Sequence, residues 1–187
     1  MIMDLEEAID SDLDFLLVGC ISGRKKDSMS EIWHVLIKYC RSKPQDFFEL
    51  PIHGLFLIGL SFPVKKVIKR LRRVLMKNKF TFINCKKFTP IEKLVKSNPQ
   101  EILEVIKPML SRVPGKDTWR ITVTKRHSSL NRSKMVDQIA NLPTAPKGFV
   151  DLENPQWIIN VEILGEWAGL SVFPSNTVLA THDFEKN

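Results

Sequence analysis

The residues able to do metal, nucleophilic or acid–base chemistry are thinly spread along this chain. His34, His53, His127 and His182 stand far apart, with no HxxxH or HExxH spacing and no adjoining Cys or carboxylate set, so no metal site is expected. Cys20, Cys40 and Cys85 form no CxxC pair and fit neither a disulfide framework nor a zinc knuckle; they read as reduced cytosolic thiols. GxxxxGKS/T, GxGxxG and GxSxG are all missing, which removes the local hardware for a phosphate loop, a dinucleotide cradle or a nucleophile elbow. Asp151 and Glu153 are paired carboxylates, but beside Asn154-Pro155 they are assigned to shaping a turn rather than to moving protons. No catalytic residue, metal or cofactor is expected.

Positive charge is the stronger signal. Lys plus Arg number 28 against 21 Asp plus Glu, a formal charge of +7, which favours polyanionic partners. From Val64 to Lys77 one side carries Lys65, Lys66, Lys69, Arg70, Arg72, Arg73 and Lys77 without an acid. Like charges at i,i+4, such as Lys65 with Lys69 and Lys69 with Arg73, repel by a few tenths of a kcal/mol each, and a polyanion relieves that cost. Pairing with acidic groups of the N-terminal tail or of another domain is the alternative. A second basic run, KRHSSLNRSK from Lys125 to Lys134, leads from a strand into a helix N-terminus, which offers backbone N–H groups and a positive dipole to phosphate. Lys125, Arg126, Arg132 and Lys134 add charge there, and His127, Ser128, Ser129 and Asn131 add hydrogen-bonding groups. An ordinary capped polar loop is the competing reading.

The elements that must position these groups follow from hydrophobic patterning. With 187 residues, 43% apolar and 26% charged, the chain has room for one ordinary domain or two small ones with a buried core. The longest uncharged run, Leu50 to Val64, has 15 residues and contains Pro51, His53 and Pro63, so no membrane span is expected. Acids before and within the start of Leu13 to Ile21 argue against a secretory signal, and a cytoplasmic location is expected.

Residues 1–12 read as an acidic tail or a short, loosely attached helix. A strand over Leu13 to Ile21, a helix capped at Ser28, a hairpin from Phe47 to Leu60, a helix from Val64 to Lys77 and a strand from Phe80 to Phe88 give the order βαββαβ, a ferredoxin-like unit over 13–90. The stretch from Pro90 to Pro99, with a proline at each end, places the boundary of a second unit, 91–180. That unit takes a helix around Ile102 to Leu110, an alternating strand from Trp119, a helix from Arg132 to Asn141, and strands over Phe149 to Leu152, Trp157 to Leu164 and Leu170 to Phe173. Residues 181–187 read as a loose C-terminus. Phe15, Phe47, Phe56, Trp119 and Trp157 fall on inward positions; Trp167, in the Gly165 to Gly169 turn, is open between exposure and packing.

In the second unit, Trp119-Arg-Ile-Thr-Val-Thr-Lys-Arg-His127, then Val150-Asp-Leu-Glu-Asn-Pro155 with Trp157 to Ile163 and Ala168 to Ser171, resembles the THUMP domain of RNA-modifying systems. The resemblance covers roughly Pro99 to Phe173, and VDLxNP is its most specific part. It implies an α+β chain, a ferredoxin-like domain followed by an α/β THUMP domain, that recognises tRNA by shape and phosphate. Lys125, Arg126 and Arg120 are the positions it implies for backbone contact. Gln156 departs from the acidic residue that commonly follows NP. The layout is similar to stand-alone THUMP proteins that present tRNA to an RNA cytidine acetyltransferase for N4-acetylcytidine formation, and the chain length leaves no room for a methyltransferase, deaminase or thiolation domain. The expectation is a non-catalytic adaptor. The alternatives are a small RNA-modifying enzyme, and an adaptor for a separate thiolation or methylation enzyme.

Overall fold

The computed structural model describes residues 4–9 and 11–184. Two compact units emerge: one from the chain up to Ile91 together with the residues from Asn176 on, the other from Glu92 to Ser175. The first holds a short helix α1 (Leu5–Ile9), then β1 (Asp14–Cys20), α2 (Lys25–Lys38), β2 (Asp46–Glu49), β3 (Leu55–Leu60), α3 (Val64–Met76) and β4 (Cys85–Ile91). The sheet order is β2-β3-β1-β4 with every neighbouring pair antiparallel, the ferredoxin-like arrangement.

Alternation selects the core. Leu16 and Val18 of β1 and Phe56, Ile58 and Leu60 of β3 meet Ile32, Val35 and Leu36 of α2 and the Val64, Val67, Ile68, Leu71, Val74 and Leu75 stripe of α3. The N-terminus of α3 is capped from a distance: Val64 N–H donates to Asp14 Oδ2 at 2.8 Å, because Pro63 supplies no capping oxygen.

Several expected boundaries move. The second helix starts at Lys25, not at a Ser28 cap; Ser28 is fully buried and its hydroxyl donates to the Arg24 carbonyl at 2.7 Å, one turn back. The strand expected from Phe80 begins at Cys85 and runs through Pro90, which lies opposite Leu16. Residues before it are held instead by Glu31, whose carboxylate accepts from the N–H groups of Ile83 (2.6 Å), Asn84 (3.1 Å) and Cys85 (2.8 Å).

The second unit contains β5 (Lys93–Lys96), α4 (Pro99–Met109) with a 3-10 turn at Leu110–Arg112, β6 (Trp119–Arg126), α5 (Arg132–Ala140), β7 (Trp157–Leu164) and β8 (Trp167–Pro174). Its sheet order is β5-β8-β7-β6; β6 and β7 run parallel and the other pairs antiparallel. A parallel pair needs a crossover, and α5 is that crossover. Ile102, Ile106, Met135 and Ile139 of the two helices cover Val123, Ile159, Val161, Leu170 and Val172 of the sheet.

Three expectations about this part of the chain are corrected. The proline-flanked stretch read as a linker contains β5, whose Leu94 and Val95 are buried. The strand expected over Phe149 to Leu152 is a single bridge from Val150 to Trp119, and Phe149, Val150 and Leu152 are exposed. Residues after Ser175 leave this unit: β9 (Leu179–Ala180) pairs with Lys87 and Phe88 of β4, and a 3-10 turn follows at Thr181–Phe184. The second unit therefore ends before 180, and residues 181–184 of the expected loose C-terminus are placed; 185–187, like 1–3 and 10 of the acidic tail, lie outside the described residues. Among the described residues no helix is long and apolar enough to cross a membrane.

Candidate nucleic-acid interface

The carboxyl end of β6 leads directly into the crossover helix, and this is where the basic loop sits. His127 turns the chain with φ of 52°, in the left-handed region that a non-glycine residue enters only at a cost. Asn131 caps α5, its Oδ1 accepting from Lys134 N–H at 3.0 Å. Beside it the β7–β8 turn, Gly165-Glu166, is tied in by Gly165 N–H to the Arg126 carbonyl at 3.0 Å; Gly165 has φ of 69°, which a residue with a Cβ adopts poorly. Ser97 N–H donates to the Glu166 carbonyl at 2.8 Å, which brings the β5–α4 junction to the same end of the sheet.

That junction is a second helix start. Asn98 Oδ1 accepts from Glu101 N–H at 3.0 Å, Glu101 Oε2 accepts from Lys96 N–H at 3.2 Å, and Pro99 occupies the first helical turn. The N-termini of α4 and α5 thus flank two adjoining concavities of about 380 and 540 Å³, both bordered by Ser97, Ser128 and Ser129. Lys134 borders one; Lys96, His127 and Glu166 border the other. The dipoles of the two helices point positive potential at this surface, which is the chemistry of an anion site. Lys96 is steadied by Trp167, with Nζ 3.7 Å from the ring centroid, so the half-buried indole acts as a platform for a cation.

The residues singled out from sequence divide sharply. Lys125, His127, Asn131, Arg132 and Lys134 are exposed around the loop and the first turn of α5. Arg126 is not free: its Nη1 lies 2.7 Å from Glu162 Oε2. Arg120 stands five residues before Lys125, about 17 Å away at the usual strand rise, and its Nη1 donates to the Leu152 carbonyl at 2.7 Å. It braces the VDLENP segment, in which Asp151 Oδ1 accepts from the N–H groups of Glu153 (3.0 Å) and Asn154 (2.9 Å). Asp151 and Asn154 therefore shape the turn. Gln156 supplies the acceptor required next, its Oε1 taking Thr118 N–H at 2.9 Å.

The basic helix divides too. Lys66, Lys69 and Arg73 are exposed and Lys65 is half-buried. Arg70 Nη1 donates to the Cys40 carbonyl at 2.8 Å, and Arg72 donates to the carbonyls of Asn176 and Val178. Sequence reasoning missed Lys96 and Ser97, reading their segment as a linker. The signal was present in Asn98-Pro99-Gln100-Glu101, a capping box with proline at the first helical position.

Two thiols of the first unit are buried. Burial pushes the Cys40 thiol up to about 11, with the Arg70 cation pulling it partly back. Burial also raises Cys85, reinforced by the neighbouring Glu31 carboxylate. Both are protonated and poor nucleophiles at neutral pH.

Comparison with known proteins fits this architecture. The profile of the THUMP domain matches residues 96–173, the span from the β5–α4 junction to the end of β8. Among solved structures, PH1313 from Pyrococcus horikoshii Ot3 superposes with a TM-score of 0.59 at 15% identity, covering 86% of this chain and 55% of that one. TrmN from Thermus thermophilus superposes with a TM-score of 0.57 at 13% identity, covering 85% of this chain and 45% of that one. The chain thus spans about half the length of these structures, and at such identities the likeness concerns the fold. No curated protein matches the chain. The end of the sheet that gathers the basic loop and both helix N-termini belongs to a THUMP domain, residues 96–173.

Proposed function

We propose that this chain is a cytoplasmic tRNA-binding adaptor that holds tRNA by its phosphates for a separate modifying enzyme. The observation that carries the reading is the convergence of two helix N-termini, those of α4 and α5, on concavities bordered by Lys96, His127 and Lys134, with Lys125 and Arg132 exposed beside them. The partner enzyme we assign is an RNA cytidine acetyltransferase forming N4-acetylcytidine. Supporting a role without bond-making are the missing phosphate-loop and nucleophile-elbow motifs and the two buried, protonated thiols.

Binding of a tRNA transcript should weaken steeply with salt, and the variant Lys125→Ala/His127→Ala/Lys134→Ala should weaken it at every tRNA sequence tried. The slope of log K against log salt should become shallower by about one for each phosphate that is no longer neutralised. Unchanged affinity in this variant would remove the interface. For the partner, purified chain with tRNA and acetyl donor should yield no N4-acetylcytidine by mass spectrometry until an acetyltransferase is added. Product without it would make the chain an enzyme, and disappearance of a thiolated or methylated nucleoside in a deletion strain would reassign the partner.

A further inference from the structure

The ends of α2 and α3 in the first unit enclose an open cleft of about 520 Å³. Its walls carry Lys38, Arg41, Arg70, Arg73, Lys77 and Lys79, with Tyr39 and Phe62 beside them and no carboxylate among the described lining residues. Cations in the last turn of a helix complement its dipole, and that accounts for Lys38 and Arg73. It does not account for Arg41 and Lys79, which lie beyond the helices, nor for the absence of any counter-charge. Among the described residues none of the six forms an ion pair. Of the described acids near the N-terminus, Asp14 sits at the opposite end of α3, where it accepts from Val64 N–H.

The cleft is also organised. Arg41 and Asn78 turn the chain out of the two helices with φ of 49° and 48°. The Arg70 guanidinium is fixed by the Cys40 carbonyl at 2.8 Å and lies over the Phe62 ring at 4.7 Å, so it is oriented before any ligand arrives. Cations interleaved with aromatic rings suit a nucleic-acid strand better than a protein carboxylate, because phosphates and base faces meet both kinds of wall.

We propose that this cleft is a second RNA site, holding phosphates of the bound tRNA independently of the THUMP domain's loop. The inference rests on the tRNA-binding reading above. Arg70 is left in place because it braces Cys40; the exposed Arg73, Lys77 and Lys79 are the positions to change. The variant Arg73→Ala/Lys77→Ala/Lys79→Ala should weaken binding of a tRNA transcript at least tenfold near 0.1 M salt and flatten the salt slope by about two to three. A matched variant, Lys43→Ala/Lys86→Ala/Lys87→Ala, removes the same charge from exposed positions outside the cleft and should bind nearly as well as the unaltered chain. Circular dichroism and thermal melting establish that both variants are folded.

Equal losses in the two variants, or no loss in the cleft variant, would overturn the proposal. So would intact tRNA binding with lost binding of poly-glutamate, which would make the cleft a site for an acidic protein segment. The loop variant Lys125→Ala/His127→Ala/Lys134→Ala separates the two claims. If it loses tRNA while the cleft variant does not, only the cleft proposal falls; if the unaltered chain ignores tRNA, both fall.

Discussion

Arg126 Nη1 lies 2.7 Å from Glu162 Oε2, and the Glu162 side chain is 5% exposed against 34% for Arg126. The parallel register of β6 on β7 sets this pair, since Thr124 stands opposite Glu162 and Arg126 follows on the same face. A carboxylate this deep needs its cation, so the arginine that sequence patterning marks for RNA is committed to the fold. Arg126→Ala should cost about 1–3 kcal/mol in urea unfolding, whereas Lys125→Ala should cost almost nothing. The double change Arg126→Met/Glu162→Leu should recover most of the loss. If Arg126→Ala were as stable as the unaltered chain, the ion pair would not be structural.

Asn131 permits stability and RNA affinity to be pulled apart. Asn131→Ala removes the acceptor for Lys134 N–H and should lower stability by about 1 kcal/mol. Asn131→Asp keeps the cap, and its charge suits the helix dipole, yet it places an anion where phosphate is to bind. That variant should melt at or above the normal temperature and bind tRNA several-fold more weakly. Equal tRNA affinity would place the phosphates elsewhere.

Arg72 should behave as an anchor and not as an RNA contact. Its guanidinium holds the carbonyls of Asn176 and Val178, the stretch that returns the chain to the first sheet. Arg72→Ala should speed amide exchange around β9 and lower the melting temperature, with the salt slope of tRNA binding unchanged. A flatter slope would return Arg72 to the interface.

Glu31 ties the loop before β4 by three N–H groups at once. Glu31→Ala should cost about 1–3 kcal/mol and expose the amides of Ile83, Asn84 and Cys85 to exchange. Uniform exchange across the unit, with no local change, would argue that this anchor carries little weight.

The thiols set an alkaline limit. Burial raises Cys40 from 9.0 to about 11 and raises Cys85 in the same direction, so the folded chain holds these protons more tightly than the unfolded chain does. For Cys40 the contribution is complete below pH about 9 and is lost as pH climbs toward 11, roughly 1–3 kcal/mol; that of Cys85 falls in the same direction. The melting temperature should fall across that window. Iodoacetamide at pH 8 should label the half-buried Cys20 first and reach Cys40 and Cys85 only on unfolding. Early labelling of Cys40 would contradict the burial argument.

Local periodicity carried much of this protein. The apolar stripe from Val64 to Leu75, the run from Trp157 to Leu164 and the alternation from Trp119 each specify an element through neighbours a few residues apart, and all three elements stand where the pattern puts them. The basic loop and the start of α5 were legible for the same reason, because a cap is a local event. β5 and β9 were not, since a strand of four residues or two owes its existence to a partner distant in the chain, β8 for the one and β4 for the other. Charge followed the same division: composition and spacing set how many cations each helix face and loop carries. Which of them stay available depends on carbonyls and carboxylates brought up by folding, Glu162 beside Arg126, Leu152 beside Arg120 and Cys40 beside Arg70, because a hydrogen bond is decided by distance in space.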